Sequence, residues 1–553
     1  MKQAYNPYLP SYEYVPDGEP HVFGDRIYLY GSHDRFDGAL FCLNDYICWS
    51  ASVHDLTDWH YEGVIYRKVQ DPRNQNIPAD AKPFPSMFGV APRRKNSLDT
   101  PGMHALWAPD VVCGPDGRYY LYYCLDYLPE IGVAVCDKPA GSYEFLGFVR
   151  HADGTPLGLA EGDFEQFDPG IFRDTDGTYY LYSGHAPMFA QQPGEKLKST
   201  VMTLQDDMTT LRTEPVKFMP DLRDSAGSGF EGHEFFEASS IRRIHGRYYF
   251  VYSSVRSHEL CYAVSDRPDG GYRFGGTLVD IGNVFLDGRT EAQAVNPLGN
   301  THGGIECCCG QWYVFYHRQT NRTNFSRQAC AEKITIAEDG SIAQVEVTSC
   351  GLNAGPLAGE GTYPARICCH LTRNGTAVSS NPLSCGLTQP FCTQDADDLN
   401  PEDPEAAEDA QFPVQYICNM ADGSCAGYRY FDLPGACRIT LTLRACSYAP
   451  DAPLTEEMIG ELARMMGSVE RVKAQLPMIE ARRTADYSIP PVGTFAVSVE
   501  PDGPVLGEIA GTPGENWQQF SADVVLPAGV RPLYFTWHGS GVVDLAEFRL
   551  EKA

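Results

Sequence analysis

The chain has 553 residues, 43% of them hydrophobic, with 27 Phe, 32 Tyr and 6 Trp, which is enough for one large domain and a smaller one. A formal net charge of −29 argues against a nucleic-acid partner, whose phosphates need Lys and Arg, and against an anionic membrane surface. A neutral sugar is indifferent to that field.

In chain order, the opening MKQAYNPYLPSYEY has no apolar core and no small-residue cleavage site, so retention in the cytoplasm is expected. A hairpin pattern then recurs: an apolar run, a polar turn containing Gly, and an aromatic-rich run. It reads HVFGDRIYLYGS at 21–32, VVCGPDGRYYLYY at 111–123 and GIFRDTDGTYYLYSG at 170–184. SIRRIHGRYYFVYSS at 240–254 and GGIECCCGQWYVFYH at 303–317 complete the set. The copies align on Tyr28, Tyr120, Tyr180, Tyr249 and Tyr313. Gly-Asp, Asp-Gly, His-Gly or Cys-Gly at each turn is a hairpin signal. Outer strands follow in DLTDWHYEGV, DKPAGSYEFLGF and SDRPDGGYRFGG. Five similar all-β units in a row predict a five-bladed β-propeller over residues 1–352.

After Leu352 the pattern stops. An acidic loop is expected at 393–410, because Asp395 to Asp409 carries only acidic charges. Short strands resume at Val414 and run to the end, predicting a β-sandwich of jelly-roll type over 353–553. A helical insertion is expected at 455–476, where Met458, Leu462, Met465, Val469 and Val472 share one face after a cap at Thr455. No run of 18 apolar residues exists, which excludes a spanning helix. The 19 cysteines are odd in number and partly adjacent, which fits a reduced thiol pool better than disulfides, and they show no four-ligand zinc spacing.

Cleaving a glycosidic bond takes a carboxylic acid on the leaving oxygen and a carboxylate on the opposite face. In a propeller the acids that converge are those at the starts of the innermost strands. Asp17 and Glu19 precede the first hairpin, Asp110 the second, Asp168 the third and Glu237 the fourth, while His302 precedes the fifth.

This set resembles glycoside hydrolase family 43, the five-bladed β-xylosidases, α-L-arabinofuranosidases and arabinanases. The carrying runs are NPYLPSYEYVPDGEPHVFGDRIYLYGSHD, LWAPDVV, QFDPGIFRDTDG, FFEASSI and NTHGGI. The resemblance implies an inverting exo-glycosidase that releases terminal xylose or arabinose from short oligosaccharides. It makes Glu237 the general acid, Asp168 the residue that raises the acid's pKa, and Asp17 the general base, with Glu19 as the alternative base. Trp107 and Phe167 would wall the sugar ring, and Arg327 would point into the sugar site. His302 would contact water or a structural cation, with no cofactor required. A glycoside phosphorylase or a non-catalytic sugar-binding propeller is the alternative. The last part of the chain, through AGYRYFDL and LYFTWHGSGVVDLAEFRLE, resembles a family 6 carbohydrate-binding module, with Tyr428, Tyr430, Trp517 and Trp537 as its candidate ligand aromatics.

Overall fold

A computed structural model of the protein describes residues 4–36, 38, 40–81, 102–187, 194–321, 324–377, 389–395, 414–446, 459–460, 473 and 487–553. Nearly all regular structure in it is β, and none of the described helices is long and apolar enough to cross a membrane.

Each repeated hairpin forms the first two strands of an antiparallel sheet. The first sheet runs β1 (Glu19–Phe23), β2 (Arg26–Tyr30), β3 (Tyr46–Ser52) and β4 (Asp55–Tyr66). The second runs β5 (Leu106–Cys113), β6 (Tyr119–Leu125), β7 (Ile131–Cys136) and β8 (Glu144–Phe148). The third is β9 (Gly170–Arg173), β10 (Tyr179–Ser183), β11 (Thr200–Leu204) and β12 (Val216–Lys217). The fourth is β13 (Phe235–Ile244), β14 (Arg247–Ser254), β15 (Glu259–Ser265) and β16 (Arg273–Asp280). The fifth has three strands, β17 (Ile305–Cys308), β18 (Gln311–Gln319) and β19 (Arg327–Ile334). At the turns His245–Gly246 and Cys309–Gly310 both residues have positive φ, the backbone a two-residue hairpin needs.

The first strands of the five sheets touch one another in sequence, and the last meets the first. Gly18 bridges Gly303, the Ile171 amide donates to Asp110 at 2.7 Å, and Arg242 reaches Glu306 at 3.3 Å. Glycine permits this approach: a Cβ on Gly170 would lie 2.4 Å from the Ser239 carbonyl oxygen, and one on Gly304 2.6 Å from the Ser240 hydroxyl. Second strands such as β6 and β14 are buried along nearly their whole length between neighbouring sheets, which is why they read as continuous apolar runs.

The remaining strands are β20 (Leu357–Ala358), β21 (Gly361–Pro364), β22 (His370–Arg373), β23 (Thr376–Ala377) and β24 (Phe391–Gln394). They continue with β25 (Gln415–Met420), β26 (Ser424–Leu433), β27 (Ala436–Ala445), β28 (Val492–Ser498) and β29 (Gly507–Gly511). β30 (Gln518–Val525), β31 (Gly529–Ser540) and β32 (Val543–Lys552) close the chain. One sheet has the order β23-β22-β26-β31-β28-β29, with β20 on β26; the other is β24-β25-β32-β27-β30, with β21 on β32. Tyr428, Phe431, Phe535 and Trp537 of the first share a buried core with Ile439, Leu441, Leu545 and Phe548 of the second. Tyr428 and Trp537 are therefore core residues, contrary to the expectation that they face a ligand. The expected acidic loop beyond Asp395 and nearly all of the expected helix at 455–476 lie outside the described residues.

These two sheets are pinned to the first part of the chain. The Tyr14 hydroxyl donates to Gln394 at 2.8 Å, and Gln415 donates to Gln328 at 3.0 Å. Arg429 pairs with Glu346 at 2.7 Å. The segment leading to Asp17 and the strand that carries Arg327 are thus held from outside.

Candidate active site

Three carboxylates meet where the first strands begin. Asp17 lies two residues before β1 and Asp168 two before β9, both with positive φ, at 57° and 44°. Glu237 sits in β13 at a register shift, followed by Ala238 at φ 71°. Left-handed backbone is unfavourable for residues with a Cβ and concentrates at functional sites. Here it turns the side chains out of the regular sheet alternation. The Ala238 amide donates to Asp168 at 3.2 Å, tying the acid's strand to its neighbour. His302 stands between two of the carboxylates, its Nδ1 3.5 Å from Asp168 and 3.9 Å from Asp17.

Asp17 accepts a 2.9 Å hydrogen bond from Nη1 of Arg327, and its own amide donates to Nδ1 of His317 at 3.0 Å. The far nitrogen of His317 lies 2.9 Å from the Asn300 carbonyl, which only accepts, so Nε2 carries the proton and the ring is neutral. Burial alone would raise the Asp17 pKa, but the adjacent Arg327 guanidinium leads the interactions that outweigh it and hold the carboxyl below its ordinary value. Glu237 is the opposite case. Burial and the negative charge of Asp17 push its pKa up to about 8, and no group among the described residues is hydrogen-bonded to its carboxyl. Burial, with Glu237 and Asp17 nearby, raises Asp168 as well, so the Asp168–Glu237 pair keeps a proton into neutral pH.

Apolar rings adjoin these groups. Phe167, next to Asp168, packs edge-on against Trp107 at 5.3 Å, and Trp107 meets Phe41 at 6.0 Å. Phe41 in turn lies 4.6 Å from the Arg327 guanidinium carbon. Trp107 and Phe167 are half-buried, and the Tyr46 hydroxyl holds the Trp107 carbonyl.

Glu19 does not join this set. If residues 17–19 were extended, Asp17 and Glu19 would share a face; the left-handed Asp17 breaks that alternation. Glu19 instead pairs with Arg242 at 2.8 Å and accepts from Ser240 at 2.9 Å. It belongs with His21 and Asp110, themselves 2.6 Å apart, in a second buried polar cluster on the first strands. Arg327 also departs from expectation, since it is 2% exposed and engaged by two carboxylates rather than held free for a sugar. Asp34, His317, Phe41 and Cys42 are site residues that the sequence reading did not single out. The one signal for Asp34 was indirect: a buried arginine requires more than one counter-charge.

The profile of Glycosyl hydrolases family 43 matches residues 86–342. A xylosidase/arabinosidase of Thermoclostridium stercorarium is 44% identical to this chain, covering 99% of each. A β-xylosidase of Xylanibacter ruminicola is 30% identical over 63% of this chain and 100% of its own. Among solved structures, that of the β-xylosidase RS223 aligns at 25% identity with a TM-score of 0.43, covering 60% of this chain and 96% of that one. With a relative of such identity from end to end, the chain belongs to glycosyl hydrolase family 43.

Proposed function

We propose that this enzyme is an inverting exo-glycosidase that hydrolyses terminal xylose or arabinose from short plant-polysaccharide oligosaccharides. The observation that carries this reading is the opposed tuning of two carboxyls at one site: Asp17 held ionised by Arg327, and Glu237 held protonated by burial and charge. Environments that push paired acids apart assign the base and the acid. Asp17 takes a proton from a water that attacks the anomeric carbon, while Glu237 protonates the departing oxygen. Asp168, tied to Ala238, holds the strand of Glu237 in place, and the two carboxyls share a proton. Neutral His302 and His317 line the base side. Glu19, neutralised by Arg242, has no part in the step.

The five sheets with touching first strands support a five-bladed propeller, and the sharing of one core by the two later sheets supports a jelly-roll sandwich. The reading of that sandwich as a family 6-like module is consistent with weak sugar binding, because of its four candidate aromatics two are core and Trp517 lies 4.3 Å from the Arg444 guanidinium. A cation beside His302 lacks a ligand set: no trio of His, Cys, Asp or Glu ligand atoms gathers there among the described residues.

The relatives named xylosidase/arabinosidase fit a pentose at the cleaved end. The test is a panel of nitrophenyl pentosides and short xylo- and arabino-oligosaccharides, assayed with and without phosphate. Free pentose in both buffers is expected. A sugar phosphate as product would replace hydrolysis with phosphorolysis, and binding without turnover would leave only a sugar-binding propeller.

A further inference from the structure

The Arg327 guanidinium is engaged by two carboxylates within the protein. Its Nε and Nη2 lie on the two oxygens of Asp34 at 2.8 and 2.9 Å, and its own amide adds a third bond to Asp34 at 3.0 Å. Nη1 alone reaches Asp17. Both Asp34 and Arg327 are buried, and Arg327 also packs on the Phe41 ring.

Asp34 is itself fixed from several sides. Its amide donates to the Tyr14 carbonyl at 2.9 Å, which ties it to the segment just before Asp17. The Cys42 amide donates to its Oδ1 at 2.9 Å, and Asn44 donates to its carbonyl at 2.9 Å. A bidentate carboxylate fixes both the plane and the rotation of a guanidinium. With that plane set, the one nitrogen left over has a single direction, towards Asp17.

We propose that Asp34 is a positioning residue of the hydrolysis, acting through Arg327 to keep the base ionised and aimed at the attacking water. The proposal rests on the reading of Asp17 as base. It also separates two effects of opposite sign. If Asp34 were only a nearby charge, removing it would leave the arginine's positive charge less opposed, and the Asp17 pKa would fall. If Asp34 is the anchor, removing it frees the guanidinium, burial of Asp17 goes uncompensated, and its pKa rises.

The experiment is a pH profile of kcat and kcat/KM for Asp34→Asn in the full-length enzyme, on pentosides with good and with poor leaving groups. The expected result is a loss in kcat of about 100-fold, equal for both leaving groups, with the acid limb displaced to higher pH. Arg327→Lys, which keeps the charge but cannot bridge two carboxylates, should show the same displacement and carries the test if Asp34→Asn does not fold. An acid limb that stays put or moves to lower pH in a folded variant overturns the positioning role. Asp17→Asn is measured alongside. If it retains activity, the base assignment itself has failed; if it is inactive while Asp34→Asn behaves like the wild type, only the positioning inference has failed.

Discussion

Replacing Glu237 by Gln removes a proton and little else, since the side chain keeps its length and no hydrogen-bonded partner among the described residues is lost. With the pKa at about 8, roughly nine-tenths of the enzyme carries the proton at pH 7. General acid catalysis contributes on the order of 10² to 10⁴ in rate. The variant should lose that factor on xylobiose-sized substrates and on alkyl pentosides, and far less on dinitrophenyl pentosides, whose leaving group needs no proton. The wild-type profile should lose activity as pH rises through about 8, and that basic limb should vanish in the variant on the activated substrate. Stability gives a second reading. A carboxyl whose pKa is higher folded than unfolded binds an extra proton in the native state, so its contribution is complete below the unfolded value of 4.5 and lost as pH rises through about 8. Glu237→Gln should therefore be more stable than the wild type at pH 9, by roughly 5 kcal/mol at most, and show little difference at pH 4. Equal rate losses on activated and unactivated substrates would refute the acid role.

Asp17→Asn should lower the rate on every substrate whatever its leaving group, because water activation is always needed, while Glu19→Gln should cost activity far less. Gly170→Ala should destabilise the fold by several kcal/mol in urea titration, since its Cβ would lie 2.4 Å from the Ser239 carbonyl oxygen on the first strand of the next sheet; a neutral substitution would contradict the close approach of the first strands. In affinity electrophoresis the full-length Glu237→Gln enzyme should be retarded little by xylan, and adding Trp517→Ala should change nothing, because Arg444 already covers that ring. Strong retardation lost in the double variant would make the sandwich a working binding module.

The repeats were legible because hairpin turns and apolar runs are local signals, and each quoted hairpin became the first two strands of a sheet. The acids at the strand starts were legible for the same reason: Asp17 and Asp168 flank His302, and Glu237 lies within reach of the charge of both. What local pattern could not supply was direction. Asp17 and Glu19 are two residues apart and part company only through one left-handed backbone angle. Asp34 and Arg327 lie 293 positions apart in sequence, so their pairing follows from the meeting of the first and fifth sheets and from no nearby motif. Tyr428 and Trp537 misled for a related reason, because an aromatic in a strand gives no sign of which face the sandwich will bury.

The central claim is a single displacement, with Asp17 activating water opposite Glu237. Its most direct test is proton NMR of the anomeric signal during the first minutes of hydrolysis of a nitrophenyl β-xyloside or α-L-arabinofuranoside, before mutarotation scrambles the product. The account predicts that the first sugar released has the anomeric configuration opposite to that of the substrate. A first product of retained configuration would mean a covalent intermediate on one of these carboxylates, and would contradict it.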